Sequence, residues 1–207
     1  MKLSINYNYN GLLICFFFGG YMGLDGEYTY FDRKLNWILK RNKKEDAEIL
    51  MQLRNFVYSL DEDDYAGKYF KSQLIRYFYA LKIIKQSLPK GSVLDVGSYP
   101  SHIHTCLLDL GYDADGADIA PERIPNSLAE AKKRTIQWDF EKGEAPLKKQ
   151  YDNVLFLEVI EHLHVNPLNA LYEISGLIKE KGLILVSTPN LFSLRNRINF
   201  IKGSYCQ

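Results

Sequence analysis

Two acids stand at the ends of short apolar runs about twenty residues apart, a spacing suited to a nucleotide-like ligand. The first run is Val93-Leu-Asp-Val-Gly97, carrying Asp95 and followed by Ser98-Tyr-Pro-Ser101. The second is Gly116-Ala-Asp-Ile-Ala-Pro121, carrying Asp118. A tight turn at Gly97 brings backbone close to a ligand, and an acid at the tip of the next strand accepts hydrogen bonds from a ribose diol.

A third group follows further along. Glu158, Glu161 and His162 are spaced i, i+3 and i+4, which puts them on one face if the segment is helical. Two carboxylates and an imidazole there have three readings. His162 acts as a general base oriented by Glu161, the three hold a divalent cation, or Glu161 caps a helix while His162 packs on the sheet edge. The cation is permitted and not favoured, and no residue is assigned as a metal ligand. His102 and His104 read as ordinary helix surface and Cys106 as core.

The elements that position these groups alternate between strand and helix after Gly91. Val93–Val96, Ala114–Ala117, Thr135–Trp138, Asn153–Leu157 and Leu183–Ser187 read as strands. Asn153–Leu157 has apolar residues on both faces, as a buried parallel strand does. Helices are expected over Pro100–Leu110 and Pro121–Arg134, and a third opens at Asn166-Pro167, with Asn as cap and Pro at the first position. Five strands with intervening helices predict an α/β, doubly wound, mainly parallel sheet. Its ligand edge is the carboxyl end of the strands, where Asp95, Asp118, Trp138-Asp139-Phe140, Glu158 and Thr188-Pro-Asn190 gather.

Before residue 90 the pattern is helical. Ile49, Leu53, Phe56, Val57 and Leu60 form one apolar stripe, and Phe70, Leu74, Tyr77, Phe78, Leu81, Ile84 and Leu88 a second. Asp61-Glu-Asp-Asp64 between them reads as a solvated helix start. Three segments result. Residues 1–26 are an apolar N-terminal extension, residues 27–89 a helical cap, and residues 90–207 the ligand-binding domain. Gly11–Leu24 is apolar but shorter than the ~20 residues a membrane-spanning helix needs. The extension is read as a disordered or accessory tail, a peripheral membrane contact or an export signal.

Net charge of +1 across 207 residues argues against broad capture of nucleic acid. Arg195, Arg197 and Lys202 read as a solvated or acid-facing surface. The three cysteines, Cys15, Cys106 and Cys206, are scattered and fit no metal spacing, which suits a reducing, cytoplasmic setting.

Taken as a set, Val93–Pro100, Gly116–Pro121, Gln137–Phe140, Tyr151–Leu163 and Lys181–Asn190 resemble the successive motifs of class I S-adenosylmethionine-dependent methyltransferases. Tyr151-Asp-Asn-Val-Leu155 running into Glu158-Val-Ile-Glu-His162-Leu, with Ser187-Thr-Pro-Asn190 after the last strand, is similar to the ubiquinone-biosynthesis-type O-methyltransferases. It is similar also to methyltransferases found with surface-polysaccharide enzymes. The resemblance covers residues 90 to about 200 and implies a Rossmann-like sheet with S-adenosylmethionine as cofactor.

It also implies roles. Asp95 orients the turn near the methionyl amine, Gly97 admits the cofactor, and Asp118 holds the ribose diol. Asp139 receives the adenine amine with Trp138 or Phe140 beside the ring. Ser98, Tyr99 and Ile119 line the same site, and Glu158 lies near the methionine part. His162 and Glu161 are the catalytic candidates, and the acceptor is a small molecule or glycan.

Two departures stand out. Ser98-Tyr-Pro-Ser101 fills a turn that is usually richer in glycine. Only about twenty residues follow the fifth strand, where the fold normally adds two more. The C-terminal strands therefore read as truncated, with an open sheet edge that a partner chain could cover. These departures support the alternative reading, an inactive or truncated cofactor-binding or interaction module.

Overall fold

A computed structural model describes residues 5–7, 12–17, 47–60, 65–88, 90–143, 145–164 and 166–189. The acidic run Asp61–Asp64, most of the segment before residue 47, and Asn190 with the basic tail after it lie outside the described residues.

The strands are β1 (Ile5–Tyr7), β2 (Leu12–Phe17), β3 (Ser92–Val96), β4 (Asp113–Asp118), β5 (Thr135–Gln137), β6 (Tyr151–Leu157) and β7 (Ile178–Pro189). They form one sheet in the order β1-β2-β7-β6-β3-β4-β5. The five strands from β3 to β7 are mutually parallel, the doubly wound core expected from the sequence. Val96 stands between Ala117 of β4 and Phe156 of β6, so the carboxyl ends of the central strands finish level.

Sheet alternation divides the core in two. Val93, Leu155 and Leu185 face one layer. Leu94, Val96, Val154, Phe156, Ile184 and Val186 face the other. The first layer packs under α1 (Ala47–Ser59), α2 (Tyr65–Ser87) and α3 (His102–Asp109). Phe70, Leu74, Tyr77, Phe78, Leu81 and Ile84 are buried along α2, the stripe that helical spacing foretold. Asp95 follows Val93 by two residues and therefore points into this same layer.

α4 (Ala129–Lys133) lies beside α3 on this same side of the sheet, and the opposite layer holds α5 (Pro167–Ser175) with its connections. Asn166 caps α5, its side chain accepting from Leu168 N at 3.0 Å. Ala170 and Ile174 are buried, but Leu168 faces solvent and the helix ends before Leu177. The helix expected over Pro121–Arg134 is instead two single 3₁₀ turns followed by α4. Pro125 explains this, because proline has no N–H to continue the helix.

The largest departure is at the sheet edge. The sequence reading left β7 with an open edge and residues 1–26 without a folded element. Instead β2 lies parallel to β7, Leu12 opposite Ile184 and Phe17 opposite Pro189, and β1 pairs antiparallel to β2. Among the described residues the backbone groups of that edge are paired from within the chain, so no partner chain is required there. β7 also begins earlier than Leu183. Its register with β6 jumps from Tyr151–Ile178 to Asn153–Leu183, so residues 179–182 bulge opposite Asp152.

Candidate active site

The site begins where β3 ends. Gly97 takes φ +73°, and a Cβ there would come within 2.5 Å of a Val159 methyl, so only glycine fits. Gly97 N and Ser98 N both donate to Ala117 O, at 2.8 and 3.2 Å, which laces the turn to the tip of β4. Ser101 adopts φ 67° as the residue before α3 and supplies the left-handed step at the end of this glycine-poor turn.

Asp118 ends β4 and is only 5% exposed. Its Oδ2 accepts from Tyr99 N at 3.0 Å and its Oδ1 from Ala120 N at 3.0 Å. Each carboxylate oxygen accepts two hydrogen bonds, so one position on each is left for a diol. Arg123 lies 3.9 Å from Oδ1 and its guanidinium stands 4.6 Å from the centre of the Tyr99 ring. Tyr99 is thus held to one side, as a wall and not a plug. Ile119, 50% exposed, sits just past the acid.

Asp95 is also 5% exposed. Burial, reinforced by the nearby charge of Asp118, pushes its carboxyl up to about 7. Among the described residues its carboxylate takes no hydrogen bond.

Arg76 and Ser187, which the sequence did not flag as site residues, join the expected Glu158 in the cleft. Arg76 reaches in from α2, its Nη1 donating to Glu158 Oε2 at 3.2 Å and its Nη2 to Tyr69 Oη at 3.1 Å. Burial works against its charge, but Tyr77, Tyr69 and Glu158 together hold the guanidinium above its ordinary pKa. Glu158 adopts φ 58° at the end of β6, strained backbone of the kind found at functional sites. Its Oε1 accepts from Ser187 Oγ at 2.9 Å, and its N donates to Ser187 O at 2.9 Å. With Tyr69, Tyr77, Tyr99, His102 and Leu157, these residues line an open cleft that also contains Asp95, Gly97 and Ser98.

Other expected residues are placed differently. Glu158, Glu161 and His162 do not share a helix face, because Ile160–His162 is a single 3₁₀ turn. Glu158 turns inward to Arg76, while the His162 side chain is 78% exposed and 3.9 Å from Glu161 Oε1. Burial and the charge of Glu158 raise the Glu161 carboxyl. Among the described residues no group of three or more His, Cys, Asp or Glu side chains converges for a metal.

Asp139 follows β5, paired to Lys142 at 2.9 Å, which lowers its pKa, and accepting from Glu141 N at 3.2 Å. It does not line the cleft. Trp138 is buried, and Phe140 packs edge-on to it and to Phe156, with centroids 5.7 and 5.9 Å apart. Both rings belong to the second core layer. His102 and His104 are not helix surface. Both are buried, His104 Nε2 donating to Ala114 O (3.2 Å) and His102 Nδ1 meeting Tyr77 Oη (3.0 Å). Cys106 is core, as expected.

The sequence signal for Arg76 was faint. Tyr69, Gln73, Arg76 and Ala80 repeat at helical spacing beside the apolar stripe of α2, and polar residues in such a row read as solvated.

Two buried acids and a buried cation gathered at the tips of adjacent parallel strands stand where α/β domains of this class take their ligands. The comparison with known sequences narrows this. A family model described as a methyltransferase domain matches residues 67–205, more than half of the chain. The chain therefore belongs to the methyltransferase domain family. A ubiquinone biosynthesis O-methyltransferase of Rickettsia bellii is 31% identical over 137 residues, covering 63% of this chain and 57% of the relative. One from Cereibacter sphaeroides is 32% identical over 102 residues, covering 47% and 41%. The chain thus spans about half the length of the curated relatives it matches. The PH0226 protein from Pyrococcus horikoshii shares the fold, with a TM-score of 0.50 at 23% identity over 72% of this chain and 67% of that one.

Proposed function

We propose that the chain binds S-adenosylmethionine and transfers its methyl group to an oxygen of a small-molecule or glycan acceptor. One observation carries the reading. The cleft holds a buried acid, Asp95, without a hydrogen bond among the described residues, and a buried cation, Arg76, and beside them Asp118 keeps two acceptor positions open. An α-amino acid tail offers an ammonium and a carboxylate, and a ribose offers a diol. Those three groups complement these side chains, with Arg76 offering the N–H groups that Glu158 and Tyr69 leave over.

The fit is chemical as well as spatial. Gly97 leaves room that any side chain would fill. Arg76 has five N–H groups and uses two nitrogens on Glu158 and Tyr69, so further donors remain for a carboxylate. Ile119 is an exposed apolar residue past the diol acid, suited to the flat face of a base. When bound, S-adenosylmethionine supplies an electrophilic methyl on a sulfonium. Asp95 and Arg76 fix the two ends of the tail, and Asp118 fixes the sugar, so the site contributes orientation. Tyr69, Tyr77 and Tyr99 wall the cleft and limit water. We assign the acceptor's proton to the Glu161–His162 pair, which lies in the turn after Glu158, its imidazole exposed to an incoming acceptor. The names of the curated relatives support oxygen as the acceptor atom.

Isothermal titration of the full chain with S-adenosylmethionine and S-adenosylhomocysteine tests the cofactor reading. Asp118→Ala should weaken both by about 1–3 kcal/mol. An unchanged affinity would remove the diol role. Labelled methyl transfer to quinol and glycan pools tests the acceptor, and binding without transfer would favour a non-catalytic module.

A further inference from the structure

His102 has one ring nitrogen with a partner and one without. Its Nδ1 meets Tyr77 Oη at 3.0 Å. Its Nε2 is buried and has no hydrogen-bond partner among the described residues. The residue is 2% exposed, yet it lines the cleft. Buried polar nitrogens are rarely left unpaired, and one beside a ligand cleft calls for the ligand's own atom as its partner.

The surroundings set which form the ring takes. Phe56, Phe70 and Tyr77 stand edge-on to it, with centroids 5.7, 5.0 and 5.5 Å away, and Tyr69 stacks at 6.3 Å. Burial, together with the charge of Arg76, lowers the imidazole pKa to about 3, so the ring is neutral. Burial raises the Tyr77 phenol, which therefore keeps its proton and can give it to Nδ1. We take Tyr77 Oη as the donor to Nδ1, which places the ring hydrogen on Nε2 as a donor. Ser98 Oγ, on the same turn and from a residue of the same cleft wall, is a second buried polar atom without a partner among the described residues.

We propose that His102 is a cofactor-binding residue, its Nε2–H donating to the carboxylate of the amino-acid tail that Arg76 attracts, with Ser98 Oγ as a further donor. The carboxylate is chosen because the donor lies in the field of Arg76, where an acceptor of negative charge is favoured and an ammonium is not. The proposal rests on the S-adenosyl reading above.

The test is isothermal titration of the full chain with S-adenosylhomocysteine and with its decarboxylated form, which keeps the amine. His102→Phe retains a ring among the aromatic neighbours and removes both nitrogens. It should cost about 10- to 100-fold in affinity for S-adenosylhomocysteine and leave the decarboxylated form unchanged. His102→Gln places an amide N–H near the Nε2 position and should recover most of the loss. An equal loss for both ligands, or no loss, overturns the proposal. A wild-type chain that binds neither ligand overturns the cofactor reading and this proposal together. Nitrogen-15 NMR of the unmutated chain provides a check free of folding effects. The His102 Nε2–H resonance should shift with S-adenosylhomocysteine and stay in place with the decarboxylated form, and a shift common to both also overturns the assignment.

Discussion

Asp95→Asn should stabilise the ligand-free chain at high pH and weaken its ligand binding at the same time. Asp95 is buried and its carboxyl is pushed to about 7 from an ordinary 3.8, by burial first and the charge of Asp118 second. A raised acid pKa means that the folded state holds a proton the unfolded state has already lost between those values. The stability linked to that proton is fully present below pH 3.8 and is lost as pH rises through about 7. At about 1.4 kcal/mol per pH unit, the folded chain at pH 8 carries a cost of about 4 kcal/mol that asparagine does not. That corresponds to roughly 8–16 °C in Tm for a chain of this size. Urea denaturation of both proteins from pH 4 to pH 8, without ligand, reads the effect. The variant should be the more stable at pH 8, and the two curves should meet near pH 4. A stability difference that does not change with pH would refute the account, because a purely steric effect has no reason to titrate. Titration with S-adenosylhomocysteine gives the complementary result. A ligand ammonium favours the charged carboxylate, so wild-type affinity should rise from pH 6 to pH 8 while that of Asp95→Asn stays low and flat.

Three further outcomes follow from the same geometry. Gly97→Ala forces a side chain into φ +73° and against Val159, and urea denaturation should show a loss of about 2–4 kcal/mol. Arg76→Met strands the largely buried Glu158 without its cation, and should cost about 3 kcal/mol in the same assay. Adding Glu158→Gln to it should return part of that stability without restoring ligand affinity. His162→Ala removes an exposed ring and should leave stability within about 0.5 kcal/mol and cofactor affinity unchanged. Methyl transfer should fall by about 100-fold or more if the ring takes the acceptor's proton, and unaltered turnover would release His162 from that role.

The parts of the fold that were legible in the sequence are those fixed by short-range pattern. Val93–Val96 and Asn153–Leu157 are apolar on both faces because the parallel sheet is covered on both, and their ends located Asp95 and Glu158 directly. Asn166-Pro167 announced α5 by its cap. What failed depended on long-range contacts. Glu158, Glu161 and His162 have helical spacing, but Glu158 takes a left-handed conformation and the turn after it is only 3₁₀, so the common face never forms. His102 and His104 are polar types in a short helix, and nothing local reveals that α1 and α2 cover one and β4 receives the other. β1 and β2 were missed for the same reason, since the partner that makes them strands lies about 170 residues away along β7.

The turn Ser98–Ser101 shows how a site can keep its geometry after losing glycines. What a glycine-rich turn provides is a reversal of the chain and close backbone approach. Here those tasks are divided. Gly97 alone supplies the close approach beside Val159, and Ser101 supplies the second left-handed step. Between them Tyr99 N is tied to Asp118, so the residue expected to hold the sugar also holds the turn in place. The bulk that tyrosine adds is drawn away beneath Arg123, which itself approaches Asp118. Under the proposed function, cofactor binding and turn conformation are coupled through one carboxylate. Loss of that carboxylate would loosen the wall as well as the sugar contact, so its effect on affinity should exceed that of removing a contact whose only role is to meet the ligand.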